Sequence, residues 1–178
     1  MTRRIIYGLA GLVIMMAVLA ATAAAEGADW KRFACPEGKF SLELPPDWKL
    51  LDKIPDVLLA AAGVQEGPDD GFIENLTIAT APNSPPRTIE DFWEIYLRSV
   101  PSVIDDYKFV GEGELTVDGR LGRKLVFTGK LEGEPIEVMQ AVFIKGDDVF
   151  ILTFTDSPTT FDRRQADFEH SALSLKFE

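Results

Sequence analysis

Cysteine and histidine are almost missing from this sequence: Cys35 is the single thiol and His170 the single imidazole. One cysteine cannot close an internal disulfide, so packing alone must hold the chain together. Zinc centres that draw on several Cys and His ligands are excluded on the same ground. Positive charge is scarce as well. Against 29 Asp and Glu stand 18 Lys and Arg, a net charge of −11. Such a surface repels phosphate backbones and anionic headgroups, which argues against nucleic acid and acidic lipid as partners. After Ala25 there is no internal repeat, no low-complexity tract and no glycine-rich phosphate loop.

What the chain does have begins at its N-terminus. Arg3 and Arg4 precede an apolar run that ends in Ala23-Ala24-Ala25. A charged start, an apolar stretch and small residues at the end make a secretory signal over residues 1–25, with cleavage expected after Ala25. Ile5 to Ala25 is also long enough to cross a bilayer as an uncleaved anchor, the one membrane attachment the sequence offers. Either outcome delivers residues 26–178 across the membrane, because Arg3 and Arg4 stay inside. The expected location is periplasmic or secreted. No cysteine follows the apolar run at lipoprotein distance. Without Arg3 and Arg4 the exported part is two charge units more acidic. It is long enough for a single domain that hides about 70% of its unfolded surface.

Along residues 26–178, periodicity separates the elements. Residues 26–32 read as a lead-in. "KFSLELPPDWKLL" alternates through Phe40, Leu42 and Leu44, then meets Pro45 and Pro46, which cannot donate to a ladder. Trp48 restarts the apolar pattern as a large buried anchor. "DVLLAAAGVQ" fits either a buried strand or a helix, since a short apolar run has no diagnostic period. "EGPDDG" is a loop, and "FIENLTIATAP" is a strand stopped by Pro82. A helix begins after Thr88, a good N-cap, with Glu90 and Asp91 in its first turn. Ile89, Phe92, Trp93, Tyr96 and Val100 fall on one stripe, and Pro101 ends the helix. Four alternating runs follow, joined at Asp118-Gly119, Glu132-Gly133 and Gly146-Asp147. Such connectors make antiparallel hairpins. A last helix spans about Thr160 to Leu173, with Phe161, Gln165, Phe168, Ala172 and Leu175 inward, and "LSLKF" ends as a short edge strand. Two amphipathic helices on an antiparallel sheet give an α+β domain.

The segments "GKFSLELPPDWKLL", "NLTIATAP", "VDGRLGRKLVF" and "VFILTFTDSPTTFDRRQADFEHSALSLKF" resemble the PsbP-like and DcrB-like superfamily of α/β/α sandwiches. The resemblance covers nearly all of residues 26–178. It implies that "LPPDW" is the corner that reverses the first strand and plants Trp48 on the sheet. Members of the superfamily support photosystem II, sit in bacterial envelopes, chaperone secreted effectors or bind a Ran-type GTPase. The resemblance therefore implies a non-enzymatic accessory or binding protein with a protein partner in the cell envelope. No metal-binding or photosystem-binding motif carries over to this sequence, and no cofactor is implied.

The residues themselves offer little chemistry. His170 falls opposite Phe161 and Phe168 on the last helix and should face solvent, away from any Ser-His-Asp arrangement. Glu66, Asp69 and Asp70 cluster oxygen ligands that suit calcium, but without the spacing of an EF-hand, and a solvated loop is the simpler reading. Asp147 and Asp148 are turn formers. Cys35 reads as a small packed apolar residue, with an intermolecular disulfide as the alternative. Asn75 matches a glycosylation sequon but lies in a strand. Phe92, Trp93 and Tyr96 read as core, while Ile95 and Leu97 lie off their stripe and point toward a partner surface. No catalytic, cofactor or metal residue is assigned. A small-ligand or calcium carrier is the alternative reading, and a carboxylate-based hydrolase a more distant one.

Overall fold

The computed structural model describes residues 30–64 and 72–178. The signal segment and the "EGPDDG" loop with Glu66, Asp69 and Asp70 lie outside the described residues. The first strand, β1 (Lys31–Cys35), corrects the sequence reading, which took residues up to 32 as a lead-in. Its side chains are mostly exposed, so it has no apolar alternation to detect. Backbone pairing creates it: Lys31 to Cys35 run antiparallel to β2 (Phe40–Leu44) in unbroken register. Phe40, Leu42 and Leu44 point inward and are fully buried, as their alternation requires.

After β2 the Pro45-Pro46 corner closes with Trp48 N–H donating to the Pro45 carbonyl at 3.1 Å. Trp48 is 3% exposed and meets the ring of Phe168 edge-on, 6.2 Å between centroids. Strand β3 (Lys49–Leu50) follows, then β4 (Leu59–Ala62). Within the ambiguous run, Leu59–Ala62 is thus a strand. It has partners on both edges, β3 on one and β5 (Asn75–Pro82) on the other. A four-residue stretch flanked on both sides leaves no room for a helix.

Helix α1 (Ile89–Ser99) begins as its punctuation requires. Thr88 Oγ1 accepts from Asp91 N–H at 3.2 Å, and Ile89, Phe92, Trp93 and Tyr96 are buried. Upstream, the buried Asn83 side chain bonds both N–H and C=O of Arg87 at 3.0 Å, which fixes the approach to the cap. A 3₁₀ turn over Val100–Ser102 carries Pro101. Then come β6 (Asp105–Val117), β7 (Arg120–Leu131), β8 (Glu134–Lys145) and β9 (Asp148–Asp156). They form an antiparallel meander. Asp118 (φ 52°) with Gly119 (φ 72°), and Glu132 (φ 53°) with Gly133 (φ 92°), take the paired left-handed conformations of tight hairpin turns. Helix α2 (Phe161–Leu173) and β10 (Lys176–Phe177) end the chain.

The large sheet runs β3-β4-β5-β9-β8-β7-β6, and β1-β2-β10 form a small second sheet. Strand β5 lies antiparallel against β9 over its whole length. The central strands bury both faces. Leu125, Phe127, Val138, Val142, Val149 and Ile151 meet α1 on one side. Leu76, Ile78, Met139, Phe143, Leu152 and Phe154 meet α2 and the small sheet on the other. The result is three layers, with two helices packed on antiparallel sheets, as the sequence pattern implies.

Candidate interaction surface

Strand β6 is the 13-residue margin of the large sheet, paired with β7 on one edge and, among the described residues, with no strand on the other. From Val110 to Thr116 its burial alternates between exposed and half-buried, and only Val117 is fully buried, unlike the strands inside the sheet. Two irregularities interrupt its register with β7, one between Asp105 and Lys108 and one between Phe109 and Gly111. At the first, Asp106 takes φ 52° and its carboxylate pairs with Lys130 Nζ at 2.8 Å. The close crossing there needs Gly129, where a Cβ would come within 2.3 Å of Ile104 Cγ2. At the second, Val110 is the extra residue, left without a partner on β7. Bulges re-aim side chains, and this one turns Phe109 (55% exposed) and Val110 (54% exposed) to solvent side by side.

The side of β6 facing α1 is polar beyond Phe109. Trp93 Nε1 donates to Glu112 Oε2 at 2.8 Å. Arg123 lies over the Trp93 ring, 5.6 Å from its centroid, and pairs with Glu114 at 2.9 Å. Tyr107 packs on Phe127, and burial with the nearby Glu112 charge pushes its phenol above the usual range. From Gly111 to Val117 the register with β7 is regular. Gly111 has no atom within 4 Å of where a Cβ would stand, and Gly113 has only Lys124 Cε at 3.8 Å. Crowding requires neither glycine, and neither carries a side chain that could shield the outer edge.

The residues singled out from the sequence go elsewhere. His170 is half-exposed, as its helix position implies, but it is held. Its Nε2 lies 2.9 Å from Glu43 Oε2, and its ring stacks on Trp30 at 3.8 Å. Glu43 also pairs with Arg32 at 2.8 Å. The His170 contact, followed by Arg32, holds the Glu43 carboxyl below the usual carboxylate range. The hydroxyls in this network serve other ends: Ser41 meets Arg32, while Ser174 accepts from Glu43 N–H and donates to the Ser171 carbonyl. The cluster ties β1, β2 and α2 together and presents no serine to the imidazole. Cys35 is buried, with Sγ 3.5 Å from the Leu58 carbonyl, as a packed residue would be. Asn75 is flanked by Ala62 on one strand and Thr155 on the other, so its backbone is closed in. Phe92, Trp93 and Tyr96 are core, Leu97 is partly buried against the same cluster, and Ile95 stays 40% exposed. Among the described residues no three His, Cys, Asp or Glu converge in a metal-holding group.

Sequence periodicity missed the buried charge at one end of the sheet. Asp156 is 1% exposed, and its Oδ1 accepts from Ser157 N–H and Thr160 Oγ1, each at 2.6 Å, which sets the entry to α2. Glu74, 3% exposed, meets Arg164 of α2 at 3.2 Å. Glu137 lies opposite Asp156, and burial, then Asp162 and Asp156, raise its pKa. "DSPTT" held the only hint, as a cap-like run after a strand.

No family model and no curated protein matches the chain. Solved structures do. The solution structure of cyanobacterial PsbP (CyanoP) from Synechocystis sp. PCC 6803 matches with TM-score 0.61 at 14% identity, over 90% of this chain and 99% of that one. The Ran-binding protein Mog1p of Saccharomyces cerevisiae matches with TM-score 0.62 at 9% identity, over 85% and 96%. LpqN of Mycobacterium tuberculosis, involved in cell envelope biogenesis, matches with TM-score 0.58 at 11% identity, over 85% and 91%. With these structures superposing over most of this chain and nearly the whole of their own at TM-scores of 0.58 to 0.62, the chain has the PsbP-like fold.

Proposed function

We propose that the protein is an exported, non-catalytic binding protein of the bacterial cell envelope that works through a protein partner. The observation that carries this reading is the bare margin at β6, where a bulge sets Phe109 and Val110 next to each other in solvent on an acidic domain. Large apolar side chains exposed as a pair at a sheet edge mark contact surfaces. The Arg3-Arg4 start and the Ala23-Ala24-Ala25 end support export. Two structural neighbours support the class of role: one is described as Ran-binding and one as involved in envelope biogenesis.

The experiment is photo-crosslinking in cells that export the protein, with the reactive residue at Phe109, at Val110 or, as a control, at Glu94 on the outer side of α1. One adduct of defined mass from positions 109 and 110, absent from 94, supports the reading. Equal capture from all three, or none from any surface position, overturns it.

A further inference from the structure

We infer that β6 takes an added β-strand: an extended segment of another polypeptide that pairs with its free backbone, covers Phe109 and Val110 with apolar side chains and sets Lys or Arg against Glu112. This rests on the binding reading above and names its partner chemistry.

Four observations carry the inference. The edge is long enough. Gly111 to Val117 keep regular register with β7, about 23 Å at roughly 3.3 Å per residue, the length of an ordinary strand. No neighbour demands a glycine at 111 or 113, and neither residue carries a side chain that could shield the edge. In strands such glycines mark places where another backbone approaches closely. The apolar anchor lies beside this run rather than within it, since the bulge places Phe109 and Val110 just before Gly111. Charge then selects the occupant. Glu114 is matched by Arg123, and Asp106 by Lys130 with Lys108 nearby. Glu112 accepts from the neutral indole of Trp93 and, among the described residues, pairs with no cation. It lies on the same side as Phe109, because Phe109 faces Phe127 and Glu112 faces Leu125 across the bulge. A cation on the incoming strand therefore lands next to an apolar residue.

A second copy of the chain is the weaker occupant. Two molecules of net charge −11 repel, and the two irregularities in β6 twist the strand, the usual guard against edge-to-edge self-pairing. Strand addition to a foreign segment needs only the regular half of the strand and is a known mode of peptide capture.

The test uses the protein as recovered from expressing cells. A displayed library of random extended peptides is selected on the wild type and counter-selected on a variant with Phe109→Lys and Val110→Lys, whose folding is checked by circular dichroism. The expected winners combine Lys or Arg with alternating apolar residues. Methylating alternate backbone nitrogens of a winner should weaken it about tenfold or more, since each lost backbone bond leaves an orphaned acceptor. Raising salt should weaken it too. Glu112→Gln should remove most of the preference for basic peptides. Three results overturn the inference: winners that bind the double-Lys variant equally, winners indifferent to methylation, or a wild type that light scattering shows to be a dimer through β6. If photo-crosslinking finds a partner at 109 and 110 while methylation has no effect, the binding reading stands and strand addition falls.

Discussion

Tyr96→Phe removes one oxygen from the middle of the protein and should cost far more than its size. Tyr96 is 1% exposed and its hydroxyl donates to Gln140 Oε1 at 2.8 Å. Gln140, fully buried on β8, passes the chain on, its Nε2 donating to Thr153 Oγ1 at 3.1 Å on β9. The rings of Phe92 and Trp93 stack on Tyr96 at 5.8 and 5.6 Å, and phenylalanine keeps both contacts. The substitution therefore isolates the hydrogen bond. A neutral buried bond contributes about 1 kcal/mol net, but the abandoned Gln140 oxygen adds desolvation, so the expected loss is about 1–3 kcal/mol. Urea denaturation reads this as a midpoint lowered by about 1 M with an unchanged slope. Gln140→Leu should cost a similar amount, leaving two hydroxyls unpaired. The double variant should lose less than the sum, with a coupling of about 0.5 kcal/mol or more. A Tyr96→Phe loss below about 0.5 kcal/mol, or strict additivity, would refute the claim that this network joins α1 to the sheet.

The remaining expectations are independent of one another. Burial and the Asp162 and Asp156 charges raise the Glu137 pKa, so its stabilising, protonated form is complete below the ordinary carboxylate value and is lost as pH rises through the raised one. Glu137→Gln should therefore raise the melting temperature at pH 7, with the gain shrinking toward pH 4. Trp48→Ala should cost about 3 kcal/mol or more in denaturant melts, as for a buried aromatic truncated in a core; a loss below about 1 kcal/mol would contradict its burial. His170→Ala should cost about 1 kcal/mol or less, since the pair with Glu43 is partly exposed to solvent. Intact mass of the exported protein should correspond to a chain starting at Glu26, and a mass retaining Met1 to Ala25 would show an uncleaved anchor.

Where sequence pattern and structure agree, one physical cause acts alone. The stripe Ile89, Phe92, Trp93, Tyr96, Val100 is buried as drawn, because a helix on a sheet has a single face to hide. The hairpin turns sit at Asp118-Gly119 and Glu132-Gly133, because left-handed backbone selects its residues locally. The pattern fails where pairing, not side chains, decides. Lys31–Cys35 has no alternation and becomes a strand only because β2 offers a partner. Leu59–Ala62 is ambiguous until β3 and β5 flank it. Asp156 and Glu74 look like ordinary surface carboxylates and are buried because the start of α2 folds back over the end of the sheet.

The same distinction explains why the β6 margin could not be read from the chain. "YKFVGEGELTV" looks like any half-buried strand, and the sequence shows neither its bulge nor its bare edge. A meander of four strands has two free edges, at β6 and at β9. Strand β5, which precedes α1, is led across to β9 and pairs with it from Asn75 to Pro82, closing that edge and extending the sheet through β4 and β3. Nothing in the described chain returns to β6. The small sheet and α2 lie on a face, and α1 lies on the opposite one, so both cover side chains and neither covers the backbone of the last strand. The exposure of β6 thus follows from where β5 docks. Its charged residues and two bulges guard this edge against pairing with a copy of itself. The chain nevertheless spends 13 residues on it, with two glycines that no neighbour requires and two large apolar side chains turned outward. Stability alone explains neither feature, and both suit an edge that meets a different chain.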